Sequence, residues 1–256
     1  MILIKLGGSV ITDKTEYKKF NRKCVSRLCR EIKDSEKNVI VVHGGGSFGH
    51  VLAKEFELHK GRIRDDQTDA VTRVSRDMRE LNGMVVSEMI DAGISSVSIP
   101  TGSCFLMDDG ELLMNDTEIL QRYVDLGVVP VMFGDAVLDR KRGFGICSGD
   151  TVMKHLADIF SPEMVVFVSD IDGLYDRDPK VSKNTKMIAD VDEDVLKNVP
   201  PETTVADVTG GVHAKMKTML SLCTDGRDCI LVNGTVDGRL RSLLAGEKVV
   251  CTKARR

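Results

Sequence analysis

VIVVHGGGSFGH, Val39 to His50, is the stretch whose reading decides the fold. Val39 to Val42 form a β-branched apolar run of the kind that fills a buried strand. Three consecutive glycines follow, and Ser47 is placed to cap a helix that begins immediately after them. A strand that feeds a helix through bare backbone is an anion site in outline. Glycines let peptide N–H groups approach with no Cβ in the way, and a helix N-terminus adds unpaired donors and a favourable dipole. The expected guest is a phosphate. His50 falls on the first turn of that helix, facing the same anion. The positive end of a helix disfavours an imidazolium, so the ring is expected to be near-neutral and to donate an N–H to a phosphate oxygen. A histidine that merely packs against a neighbouring loop is the plainer reading, and the glycine loop weighs against it.

Upstream, ILIKLGGSVI (Ile2 to Ile11) is a second strand-to-glycine junction, with Lys5 at the end of the strand and Lys14 just beyond the turn. It is not a P-loop, because Asp13 stands where that motif requires its second glycine. Gly44 to Gly49 formally fits the dinucleotide pattern G-x-G-x-x-G, but that fingerprint belongs after the first strand of its unit and this one follows the second. Between the junctions, Lys18 to Asp34 predicts an amphipathic helix with Phe20, Cys24, Leu28 and Ile32 on one face. Strand, helix, strand implies a right-handed crossover and a parallel sheet that presents both glycine loops on one edge. Two anion cradles side by side are what a phosphoryl transfer requires.

Downstream, the polar run Glu57 to Asp66 predicts a mobile loop, followed by a long helix from about Gln67 to Ala92. Its stripe Val71, Val74, Met78, Leu81 and Val85 reads either as ordinary core or as an apolar wall beside His50 that seats a substrate. The two readings are compatible at different ends of one helix. Ser95 to Ile99 and Val128 to Phe133 read as strands, and Thr117 to Asp125 as a helix that Thr117 caps. Met107 to Leu113 and AVLDRKRGFGI (Ala136 to Ile146) read as hairpins, expected to form small antiparallel lids over the active edge. ICSGDTVMKHLA (Ile146 to Ala157) repeats the strand, turn, helix logic. Asp150 there either caps the helix or holds two cationic side chains near the phosphates. Val165 onward is a strand ending in Asp170-Ile171-Asp172-Gly173, which fails the calcium-loop pattern because glycine follows the second aspartate directly. DVTGGVHAKMK (Asp207 to Lys217) is a glycine turn entering a helix, with Lys215 one turn in. A strand Cys229 to Val232, a helix near Arg239 to Leu243 and a strand Val249 to Cys251 complete the alternation. The expectation is a single α/β unit with two functional halves, about 1–157 for the acceptor and 158–256 for the nucleotide.

Composition narrows the function class. A net charge of −3 over 256 residues, with no basic tract and no tryptophan, argues against nucleic-acid binding. The apolar runs are of strand length and the N-terminal one contains Lys5, so neither a membrane span nor an export signal is expected. Seven cysteines with no C-x-x-C pair read as reduced thiols in a cytoplasmic protein rather than a disulfide framework or a zinc site. What remains is three glycine turns at helix entries, a fourth at Gly210-Gly211, and Lys5, Lys14 and Lys215 at or near them. In phosphoryl transfer a protein mainly positions donor and acceptor in line and neutralises the charge on the moving oxygens, and lysines suit that task. No side chain reads as a dedicated general base, and none is required when the acceptor is itself an anionic phosphate.

Taken together, KLGGS, HGGGSFGH, SGD, SDIDGLY and DVTGG with a lysine four residues beyond resemble the amino acid kinase superfamily over essentially the whole chain. Within it they are most similar to the branch of archaeal type that converts isopentenyl phosphate to its diphosphate. The resemblance implies an open αβα sandwich with a mainly parallel sheet, ATP and Mg2+ as cofactors, and a homodimer. It implies that Lys5, Gly7, Gly8 and Ser9 hold the ATP phosphates and the transferred phosphoryl, with Lys14 stabilising charge and Asp150 orienting Lys5 and Lys14. It gives Gly45, Gly46 and His50 to the acceptor phosphate with Gly149 against it, and Asp170, Asp172, Gly210, Gly211 and Lys215 to the nucleotide. His50 argues against the branches that phosphorylate a carboxylate, and the apolar stripe fits a prenyl tail better than a nucleoside. One departure is Thr151, where relatives often carry a second aspartate. Fosfomycin, an amino acid carboxylate or a nucleoside monophosphate is the alternative acceptor, and a nucleotide sensor without turnover is the reading from another class, opposed by the lysine set.

Overall fold

A computed structural model describes residues 1–13, 15–177, 185–199 and 211–256. Lys14 and Gly210, with the rest of the DVTGG turn before Gly211, lie outside the described residues.

The central sheet has eight strands: β1 (Ile2–Leu6), β2 (Val39–His43), β3 (Ser96–Ser98), β4 (Val129–Phe133), β5 (Met164–Ser169), β6 (Asp190–Val191), β7 (Asp228–Asn233) and β8 (Cys251–Ala254). Their spatial order is β6-β8-β7-β5-β1-β2-β4-β3. Every pairing is parallel except β7 with β8. The main helices are α1 (Arg22–Asp34), α2 (Gly46–Glu55), α3 (Gln67–Asp91), α4 (Gly149–Phe160), α5 (Gly211–Leu222) and α6 (Arg239–Leu244).

Alternation along the strands builds two cores, since successive side chains leave a strand on opposite faces. Ile2, Ile4 and Leu6, with Val39 and Val41, pack against α1, α2, α3 and α6. Leu3, Ile40, Val42 and Phe167 face the other way, against α4 and α5. Each such side chain, fully buried, contributes about 1.5–3 kcal/mol relative to exposure. A sheet covered by helices on both faces is the expected αβα sandwich. Lys5 is the one charged residue on the inner strand β1, and it lies on the α4 side.

Several local expectations are corrected. The predicted helix from Lys18 begins at Arg22, because Lys19–Phe20 pair antiparallel with Thr12–Asp13, and Asn21 caps the helix by accepting from Cys24 N–H. Ser47 does not cap α2. Gly45 occupies the N-cap position, so Ser47 is already inside the first turn and His50 stands in the second. Thr117 precedes Glu118–Asp125 without a side-chain cap, and Asp116 accepts from Glu118 N–H instead. The run Glu57 to Asp66 contains a 3₁₀ turn, Leu58–Lys60, anchored by a fully buried Leu58 that its polar neighbours conceal in the sequence. The last strand is Cys251–Ala254 rather than Val249 to Cys251. The hairpins Leu106–Leu113 and Asp135–Cys147 join as one four-stranded sheet, and Met107, Leu112, Val137 and Cys147 belong to the α4-side core. The second hairpin starts at the glycine edge, where Gly134 N–H donates to His43 O at 3.2 Å, and a further ribbon, Thr12–Asp13 paired with Lys19–Phe20, lies beside the same loops.

Candidate active site

β1 and β2 are neighbours in parallel register, Leu6 opposite His43, so their glycine loops leave the sheet side by side. They touch as backbone. A Cβ built on Gly8 would lie 2.4 Å from Gly46 N, and Gly46 itself takes φ +48°, a conformation that favours glycine. Thr12 ties the two loops together: its hydroxyl donates to Gly8 O at 2.7 Å and accepts from Ser47 N–H at 3.0 Å. Gly7 N–H donates to Val168 O at 2.8 Å, which fixes the first loop to β5 on its other side.

Lys5 reaches this edge from the α4 face of β1, almost fully buried. Its Nζ lies 2.6 Å from Asp150 Oδ1 and 5.9 Å from the centre of the Phe167 ring. Ser148, not Asp150, caps α4, accepting from Thr151 N–H at 3.1 Å, with the Thr151 hydroxyl at 3.0 Å from Ser148 Oγ. Asp150 is therefore spared for the lysine. A Cβ on Gly149 would come to 3.2 Å from both Lys5 Cε and His43 O, so the third turn closes on the first two.

On the second junction His50 is half-buried against Gly45. A Cβ there would meet Met78 Sδ at 3.1 Å and His50 Cδ2 at 3.3 Å, which brings the α3 stripe to the loop at Met78. Val74, Leu81 and Val85 are core residues, and Val71 is partly buried. Met78 is itself a buried member of that core, so core packing is the reading that the burial of the stripe supports.

A third group gathers at the end of β5. Ser9 Oγ donates to Asp170 Oδ1 at 2.7 Å, and Lys215 Nζ donates to Ser169 Oγ at 3.1 Å. Residues from the first and last quarters of the chain therefore meet on the same strand end. Asp172 is engaged elsewhere, by Arg239 and by Asn233 Nδ2 at 3.1 Å. Burial acts to raise its carboxyl, and those hydrogen bonds outweigh it and hold it below the usual range. Beside Ser9 and Asp170 lies a cleft of about 420 Å³, lined also by Thr12, Asp13, Lys19 and Phe20.

Three features escaped the sequence reading. His43 and Asn82 form a buried pair, Nε2 to Nδ2 at 3.1 Å. Asp77, fully buried on α3, accepts from Tyr17 Oη, from Lys18 Nζ at 3.3 Å and from Arg76 Nε at 3.0 Å, which clamps the Thr12–Phe20 ribbon to the helix that carries Met78. Burial acts to raise the Asp77 carboxyl, but these donors win and lower it, while burial followed by the hydrogen bond to Asp77 pushes Tyr17 up to about 12. Thr12 is the third. The available signal was a polar residue at an apolar position: His43 ending a valine run, and Asp77 and Asn82 on the buried side of α3.

A buried ammonium on a strand whose end carries glycine loops packed on one another, with a third glycine turn closing on its side chain, defines an α/β protein built to grip phosphate groups. The chain belongs to the amino acid kinase family, whose sequence model matches residues 1–233. It is 35% identical to the isopentenyl phosphate kinase of Thermoplasma acidophilum over 94% of both chains, and 32% identical to that of Methanothermobacter thermautotrophicus over 99% of this chain and 98% of the other. Its fold superposes on an isopentenyl phosphate kinase substrate complex with a TM-score of 0.81 at 32% identity, covering 100% of both chains.

Proposed function

We propose that this chain transfers the γ-phosphoryl group of ATP to isopentenyl phosphate, giving isopentenyl diphosphate for isoprenoid synthesis by the alternative mevalonate route. The observation that carries the reading is the meeting of the two glycine junctions, with Lys5 on one side and His50 on the other. Full-length similarity to isopentenyl phosphate kinases favours this acceptor over fosfomycin, an amino acid carboxylate or a nucleoside monophosphate.

In this reading an oxygen of the acceptor phosphate attacks the γ-phosphorus in line and the bond to the β-phosphate oxygen breaks. The protein supplies position and charge. Lys5, steadied by Asp150, neutralises the moving phosphoryl oxygens together with Lys14, whose place in the sequence follows the Gly7-Gly8-Ser9 turn. Gly45, Gly46 and His50 hold the acceptor phosphate, with Gly149 closing the site. Ser9, Asp170, Gly210, Gly211 and Lys215 serve the nucleotide, and Asp172 supports that side through Arg239. Magnesium usually binds through one or two carboxylates plus substrate phosphates, and Asp170 beside Ser9 fits that role. The ion would neutralise phosphate charge there. In this reading 1–157 is mainly the acceptor half and 158–256 mainly the nucleotide half, with Ser9 reaching from the first to the nucleotide side through Asp170. A cytoplasmic homodimer is the expected state.

ATP consumption measured with isopentenyl phosphate, fosfomycin, acetylglutamate and uridylate tests the acceptor. Turnover confined to isopentenyl phosphate is expected, and a preference for any of the others overturns the reading. Met78 and Val71 wall the prenyl tail, so Val71→Ala is expected to admit longer prenyl phosphates. An unchanged chain-length preference would leave the stripe as core alone.

A further inference from the structure

His43 ends a strand in which every residue is buried, and its ring stacks on Phe133 at 5.2 Å between centroids. Burial keeps the ring neutral, lowering its pKa to about 4. A neutral imidazole offers one donor and one acceptor. Its Nδ1 lies 3.0 Å from the carbonyl oxygen of Gly44, which only accepts, so this network assigns the proton to Nδ1. Nε2 then accepts from Asn82 Nδ2 at 3.1 Å, and the same amide nitrogen approaches Val131 O at 3.4 Å. The amide cannot turn over without setting its oxygen against that carbonyl. Asn82 thus selects the tautomer.

The bond to Gly44 O matters because a trans peptide is planar, with its C=O and the next N–H pointing opposite ways. Holding the Gly44 carbonyl toward the buried ring directs the Gly45 N–H away from the core. The neighbouring donors are spoken for: Gly44 N–H goes to Leu6 O at 3.0 Å, Ser47 N–H to Thr12 Oγ1 at 3.0 Å, and Phe48 and Gly49 N–H to Gly45 O at 3.1 and 3.2 Å. Among the described residues, Gly45 and Gly46 N–H have no such acceptor. A peptide between two glycines has little torsional restraint of its own, and if it flipped it would present a carbonyl to the anion.

We propose that His43 is a positioning residue, which turns the Gly44–Gly45 peptide through its Nδ1–H so that the Gly45 N–H is aimed at the acceptor's phosphate. This rests on the isopentenyl phosphate reading for the identity of the acceptor. It does not touch the reacting atoms.

The test is a ranking of three substitutions. Asparagine places an amide near the position of Nδ1, glutamine near that of Nε2, and phenylalanine keeps only the stacked ring. Positioning predicts that His43→Gln and His43→Phe raise the KM for isopentenyl phosphate about tenfold, with the KM for ATP within about twofold of wild type and His43→Asn within about threefold for both, since one aligned hydrogen bond is being lost or kept. A packing role predicts the reverse order, with phenylalanine best tolerated. A wild-type KM in His43→Phe, or equal impairment in His43→Asn and His43→Gln, overturns the proposal. If phenylalanine prevents folding, the asparagine and glutamine pair still decides. A second readout separates this idea from the choice of acceptor: titration with inorganic phosphate is expected to shift the Gly45 amide resonance in wild type and His43→Asn, and not in His43→Gln. That contrast holds even if wild type fails to turn over isopentenyl phosphate, and its absence sinks the positioning role alone.

Discussion

The two glycine junctions at the centre of the sheet share one backbone device and differ in what surrounds it. The first, after β1, is flanked by charge: Lys5 before the glycines, Asp150 against it, and Ser9 joined to Asp170 after them. The second, after β2, is flanked by imidazoles, His43 before the glycines and His50 after them. Glycine supplies close backbone approach in both, as the Gly8 to Gly46 contact requires. The chemical character comes from the residues on either side. On the proposed reading, the charged junction meets the phosphoryl group in flight and the imidazole junction meets the stationary acceptor, so the lesson is that a phosphate loop is specified by its flanks.

That contrast can be broken at four points, from the largest effect to the smallest. Replacing Lys5 by methionine removes a preorganised charge and is expected to lower kcat roughly 100- to 1,000-fold. Measured kcat within about threefold of wild type would take Lys5 out of the transition state. At the other junction, His50→Ala is expected to cut kcat/KM for isopentenyl phosphate roughly 10- to 100-fold, the cost of one hydrogen bond to a charged group. Calorimetric ATP affinity stays unchanged in that variant. Weakened ATP binding would move His50 to the nucleotide side.

The junctions also differ in acid. His43 has a folded pKa of about 4 against an ordinary value of 6.5, so between those values the unfolded chain binds the proton more readily. Its contribution to stability is present above about pH 6.5 and is lost as pH falls toward 4. The melting temperature of wild type should therefore drop more than that of His43→Phe between pH 7 and pH 5, and parallel drops would contradict a buried neutral ring. The smallest effect tests glycine itself. Gly83 in α3 has open space where a Cβ would go, unlike Gly8, so Gly83→Ala is expected to stabilise by about 0.5–1 kcal/mol. Gly8→Ala should destabilise, and a gain there would mean that the two loops do not touch.

Much of the fold was legible in the amino acids because its signals are local. Valine runs, glycine triplets and the 3.6-residue stripe of α3 act within a few neighbours, and they led to the parallel sheet, both hairpins and the shared glycine edge. Errors fell where a short-range cue had two outcomes. Lys18 to Asn21 suits a helix or a ribbon, and the antiparallel pairing with Thr12–Asp13 chose the ribbon. Leu58 alone among polar residues resembled a loop until packing buried it.

What the chain determined by itself is the set of strand, glycine and helix junctions, and with them the kind of anion that the protein grips, since apolar alternation and bare backbone are written residue by residue. The family resemblance offered Lys5, Asp150 and His50 for those junctions, but only the tertiary structure decided which side chains actually meet there. Lys5 with Asp150, His43 with Asn82, and Tyr17 and Lys18 with Asp77 are pairs drawn from distant segments, the first of them more than a hundred residues apart. Such partners carry no spacing that a sequence can display, because it is the order of strands in the sheet and the burial beside it that bring them within hydrogen-bond reach.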